Sequence, residues 1–168
     1  MKKVFFILIF FVLNTISFGQ LKIGYIDSDA IIKSIPDAQQ AQQELDKIVN
    51  EWKNELQRMQ NDWKAKYDDY ENRKLIMTNE TRARVETELK RLEEKINEFR
   101  QKKFGPKGEY LQKQEELFKP IHNRIFNVIK EIADKENYDF IFDRSGDVMF
   151  IYAKDKYDLT QIVIEKLK

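Results

Sequence analysis

Residues 75–89, LIMTNETRARVETEL, decide how this chain folds. Before them, apolar side chains recur at Ala38, Ala41, Leu45, Ile48, Trp52, Leu56, Met59, Trp63, Tyr67 and Tyr70. The steps alternate between three and four, which is the seam of a coiled coil. After them a second series runs Val85, Leu89, Leu92, Ile96 and Phe99, then Leu111, Phe118, Ile121, Ile125, Ile129 and Ile132. Between the two series the rhythm fails at Leu75, Ile76 and Met77. Thr78 or Asn79 is placed to cap a new helix, and Glu80 suits its first turn. Position 78 is also midway between Pro36 and Pro120. We read MTNET as the tip of a helical hairpin with those prolines at its base, each arm about forty residues and so about 60 Å long. One continuous helix with a heptad stutter is the alternative. Folding about residue 78 sets Leu45 near Leu111, Leu56 near Phe99, Trp63 near Leu92, Tyr67 near Leu89 and Ala38 near Phe118.

The return arm carries FGPKG, residues 104–108. Pro106 removes a helical hydrogen bond and bends the arm. Gly105 and Gly108 are expected to leave room for Trp52, and Gly105, Pro106 and Gly108 form a candidate hinge. The arms occupy residues 37–119. The expected body combines residues 20–36 with residues 120–168.

In that body LKIGYID, residues 21–27, alternates as a strand, with Ile23, Tyr25 and Asp27 on one face and Gly24 and Ile26 on the other. A brief helix follows, capped by Ser28 or Asp29 and stopped before Pro36, and Asp37 is the expected cap of the first arm. YDFIFDRSGDVMFIYA reads as two strands about a Ser145-Gly146-Asp147 turn. DLTQIVIEKLK closes the chain as a short amphipathic helix.

Ahead of all this, MKK and the apolar run VFFILIFFVL precede a small-x-small site ending at Gly19. That is the pattern of a cleaved signal peptide, residues 1–19, and of export from the cytoplasm. A retained membrane anchor is the alternative, with a run short for a bilayer and interrupted by Asn14. Without Lys2 and Lys3 the chain has 28 basic and 29 acidic residues, a balance that argues for no nucleic-acid partner and against strong membrane attraction. The absence of Cys excludes disulfides and thiolate metal sites. Charged residues at 35% with only 5 Gly and 3 Pro describe long solvated helices.

Chemistry is sparse. His122, the single histidine, lies among Ile121, Ile125 and Phe126 and reads as a partly buried structural residue. Asp27 with Asp29 and Asp139 with Asp143 lack calcium-loop spacing, and no phosphate-binding loop is present. Asn79-Glu80-Thr81 matches a glycosylation sequon that a helix cap equally explains. No catalytic residue, cofactor or metal is expected, and the chain reads as a non-enzyme. Arg100, Lys102 and Lys103, with Lys107, lack an acidic neighbour and are candidate contacts for an acidic client or a lipid headgroup; a solvated helix face is the plainer reading. Tyr70, Ile76 and Met77, where the seam loosens, are the other candidate client contacts.

The order of elements, with KIGYIDSDAII, FGPKGEYLQKQEELFKPIHNRIFNVIKEIA and YDFIFDRSG, resembles the Skp/OmpH family of periplasmic chaperones over essentially the whole chain after the leader. The resemblance implies an α+β, mostly α fold: a long antiparallel helical hairpin, a coiled-coil tentacle, on a small β-strand trimerisation body. It implies a homotrimer that holds unfolded outer-membrane proteins between its arms in the periplasm, without ATP, and prevents their aggregation. On this sequence the trimerisation residues would be Ile23, Tyr25, Ile26, Phe140, Ile141, Phe142, Val148, Phe150 and Ile151. A few isolated strands cannot hide their edges, which also favours oligomerisation. With a near-neutral charge, holding would rest on apolar and dispersed polar contacts, with weak lipid contact as a further partner. A structural or adaptor coiled coil of the envelope is the competing reading.

Overall fold

The computed structural model describes residues 21–146 and 151–168. The signal-peptide reading of residues 1–19 and the expected trimer residues Val148 and Phe150 lie outside the described residues. In order, the elements are β1 (Ile23–Ile26), α1 (Ser28–Ser34), α2 (Pro36–Arg73), α3 (Asn79–Phe104), α4 (Glu109–Glu136), β2 (Phe140–Asp143), a 3-10 turn (Asp155–Tyr157) and α5 (Thr160–Leu167). Mostly α with a small β part, this is the expected fold class. Two compact units divide the described residues: 32–127 with 167–168, and 21–31 with 128–146 and 151–166.

In the first unit the chain reverses at residues 74–78, and the continuous-helix alternative is excluded. The Lys74 amide still bonds Tyr70 O at 2.8 Å, and the Ile76 amide bonds Arg73 O at 3.0 Å. Thr78 then turns extended (φ −66°, ψ 156°) and its Oγ1 accepts from the Thr81 amide at 3.2 Å, capping α3. Arg82 reaches back across the turn and donates to Lys74 O at 2.9 Å. Along the paired helices Trp63 Nε1 donates to Leu89 O at 3.2 Å, Tyr70 donates to Glu86, and Lys66 pairs with Glu88. Ala38, Ala41, Leu45, Leu89, Ile96, Ile121 and Ile125 are buried, while Leu111 stays 46% exposed. A seam of this kind is one residue thick, so most buried positions have a charged or polar residue beside them.

Three local readings need correcting. Ile35 is the cap position of α2 and Pro36 stands at its first helical site, where proline's missing N–H costs nothing; Asp37 instead pairs with Arg124 at 2.8 Å. Pro120 lies inside α4, so it is no base point, and the return arm breaks at residues 105–108. Trp52 packs edge-on against Phe104 at 6.0 Å and under Lys103, not over a glycine. Backbone approach is what the glycines serve. A Cβ on Gly105 would lie 2.4 Å from Gln101 O, and one on Gly108 2.8 Å from Lys103 O.

In the second unit β1 and β2 pair in parallel, Ile23 with Phe140 through Ile26 with Asp143. On the opposite side of β1, Tyr25 bridges Asp158, and the Leu159 amide donates to Tyr25 O at 2.8 Å. Gly24 is required here, since a Cβ would meet Leu159 Cδ1 at 2.8 Å and Tyr138 at 3.1 Å. Asn137 takes φ 54° and ends α4, with the Tyr138 amide returning to Ala133 O at 2.9 Å. Tyr25, Ile26, Ile31, Ile132, Leu159, Val163 and Ile164 are buried. The partner strand expected beyond the Ser145-Gly146-Asp147 turn begins outside the described residues, and residues 151–153 carry no strand.

Candidate functional site

The parallel register puts Ile23, Tyr25, Phe140 and Phe142 on one face of the two-stranded sheet. Tyr25 is buried, but Ile23 is 43%, Phe140 53% and Phe142 39% exposed. The rings of Phe140 and Phe142 stack at 6.2 Å and 15°. Of the expected trimerisation residues, then, Ile23, Phe140 and Phe142 form one open apolar strip. Tyr25 and Ile26 are consumed by the chain's own core, Ile141 is half-buried, and Ile151 is 93% exposed.

A polar cluster fixes the strand ends behind that strip. Asp27 Oδ1 accepts from the Ala30 amide at 2.8 Å, so Asp27 caps α1 in place of the expected Ser28 or Asp29. Its Oδ2 receives Arg144 Nε at 3.1 Å. Asp143 accepts from the Ser28 amide at 3.1 Å, the Ser145 amide at 3.0 Å, and both serine hydroxyls. The Ala30 amide, then Arg144, hold the Asp27 carboxyl below its ordinary value. Burial alone would raise that of Asp143, but the serine hydrogen bonds outweigh it and the net shift is downward. A carboxylate depressed on folding contributes stability above its unfolded pKa, about 3.9, and loses it as pH falls through the folded value. We therefore expect this unit to keep its stability down to about pH 4 and to unfold below it, and Asp143→Asn to flatten that acid limb in circular dichroism against pH. An acid limb unchanged by the substitution contradicts the assignment.

The arm carries its own surfaces. Trp63 and Tyr67 stack at 5.0 Å and 11°, with Tyr70 tilted 6.5 Å beyond. Trp63, Tyr67, Ile96, Asn97 and Arg100 line an open groove of about 570 Å³. Tyr70 is half-buried, its hydroxyl spent on Glu86. At the tip Ile76 is 83% exposed and Met77 half-buried. Leu75, where the rhythm also fails but which is not among the expected client contacts, is the barest of the three at 88%. Its signal was there: an apolar residue in a turn, outside both heptad series. Arg100 bonds Asn97 Oδ1 at 3.1 Å, and Lys102 and Lys103 both pair with Glu109. That acidic neighbour is Glu109, the residue directly after FGPKG, which the break brings back against Lys102 and Lys103.

His122 is exposed beside Phe118, ring centres 6.2 Å apart, in place of the partial burial expected. Among the described residues no group of three or more His, Asp or Glu side chains is placed to hold a metal ion, and no helix is long and apolar enough to cross a membrane.

The family described as "Outer membrane protein (OmpH-like)" matches residues 22–167. Among solved structures, a proposed outer membrane chaperone (OmpH-like) from Caulobacter crescentus CB15 superposes with a TM-score of 0.69. It is 12% identical in sequence, and the match covers 89% of this chain and 85% of that one. That likeness is one of fold. No curated protein matches the chain.

Proposed function

The chain belongs to the OmpH-like outer membrane protein family, and from that premise we propose that it is a non-enzymatic periplasmic holdase for unfolded outer-membrane proteins. In this reading an exported precursor loses residues 1–19, and the body assembles as a homotrimer. The arms then enclose a cavity in which a client is held without ATP. Residues 20–36 and 120–168 would serve the body, and residues 37–119 the arm.

The observation that carries the proposal is the open strip of Ile23, Phe140 and Phe142 on a sheet that has two strands among the described residues. Such a strip exposes apolar surface, and association with copies of the chain removes it from water. Client contacts would be many and weak, through Ile76, Met77, the aromatic groove and cations such as Arg100 and Lys102. Weak multivalent contact suits a client that must leave without an energy source. Gly105, Pro106 and Gly108 remain the proposed hinge, by which an arm fits clients of different size.

Leu75 and Ile76 favour a second reading. Bare aliphatic side chains at the end of a hairpin suit an envelope adaptor that docks by its tip. One experiment separates the two: the solution mass of the mature chain, together with its suppression of aggregation by a urea-unfolded outer-membrane β-barrel diluted into buffer. A trimer that suppresses aggregation at a stoichiometric ratio supports the holdase. A chain that leaves aggregation unchanged supports the adaptor.

A further inference from the structure

The break at residues 105–108 is spanned by an unusual cation. Lys103, in the last turn of α3, pairs with Glu109, the first residue of α4. Its ammonium also sits 4.7 Å over the Trp52 ring of α2 and 5.9 Å from that of Phe99. Three helices of the same unit thus meet at one charge. The Lys103 side chain is 17% exposed, the most buried partner in any ion pair among the described residues. Exposed pairs contribute little because water and salt screen them; a shielded pair backed by an indole keeps more of its attraction. Both helix ends favour the arrangement, with a cation at the negative C-terminus of α3 and an anion at the positive N-terminus of α4.

The backbone of the break offers little to resist bending. The Gly108 amide bonds Gly105 O at 2.8 Å, a contact local to the turn. Pro106 has no amide to donate. From side chains, Lys102 reaches Glu109 only at 3.7 Å and is 72% exposed, and the exposed Gln112 Nε2 donates to Lys107 O at 3.4 Å.

We propose that Lys103 is a latch: it ties the end of α3 to the start of α4 against Trp52 and sets how readily the arm flexes at residues 105–108. The latch depends on arm geometry alone, whatever the arm holds. If the arm does hold clients, the latch fixes the resting angle from which it adapts.

Hydrogen exchange on the full mature chain tests this. Lys103→Met keeps the apolar stem against Trp52 and deletes the charge, and Glu109→Gln deletes its partner. Each variant should exchange the amides of Gly105, Gly108 and Gln112, the hydrogen-bonded amides of the break, about tenfold faster than wild type, as expected for loss of a charge-assisted contact. The double variant should go no further than either single one, because both remove the same interaction. Amides around Leu45 and Leu89 should keep their wild-type rates. Wild-type exchange at Gly105, Gly108 and Gln112 in either variant overturns the latch. So does acceleration throughout the arm, which would make Lys103 a general packing residue.

Discussion

Phe140→Glu should reduce the proposed trimer to monomer in sedimentation equilibrium and abolish the suppression of β-barrel aggregation proposed for it, while its helical circular dichroism stays close to wild type. Phe140 is half exposed, so the isolated chain loses little packing by the change. The cost falls on assembly. A carboxylate on an apolar strip that association dehydrates must be buried without a partner, which costs several kcal/mol, on the order of the whole gain from covering the strip. In the proposed trimer three copies would also bring three like charges together. Ile23→Glu, across the strand pair from Phe140, should act in the same direction. A variant that keeps the wild-type mass would show that this face is no interface and leave the enclosing-cavity proposal without support.

What the sequence disclosed follows from how far apart the interacting residues are. The tip was legible because every signal is local: a broken heptad, a threonine cap and an acidic first turn lie within a dozen residues. The α-dominated fold was legible for the same reason, since seam periodicity repeats along each helix. The FGPKG break announced itself, but its chemistry did not. Lys103 appeared as one of a free basic run, and only the fold-back places it between Trp52 and Glu109. The polar cluster is more distant still, with Ser28 and Asp143 separated by 115 positions. Strand alternation correctly grouped Ile23 with Tyr25, yet gave no means of telling that Tyr25 is buried by its own chain while Ile23 is left bare. Pro120 misled because a proline near an expected helix end reads as a stop; α4 simply accepts it and gives up one hydrogen bond.

The same limit bears on the arm's stability, where the seam lists Leu45 and Leu111 as equals. The fold does not. Leu45 is 1% exposed and Leu111 46%. Truncating a fully buried leucine loses the transfer free energy of its methyl groups and leaves a cavity, together about 2–5 kcal/mol. A half-exposed leucine collapses toward water with little void, and its truncation should cost under about 1 kcal/mol. In a thin seam few other buried residues can compensate, and Leu45 itself stands between Glu44 and Asp46. Leu45→Ala should therefore lower the urea midpoint of helix unfolding sharply at unchanged slope, and Leu111→Ala barely at all, both measured at one protein concentration so that assembly does not contribute. Equal shifts for the two variants would mean that packing of the arm is set by heptad position alone, and that the uneven burial along it carries no energetic weight.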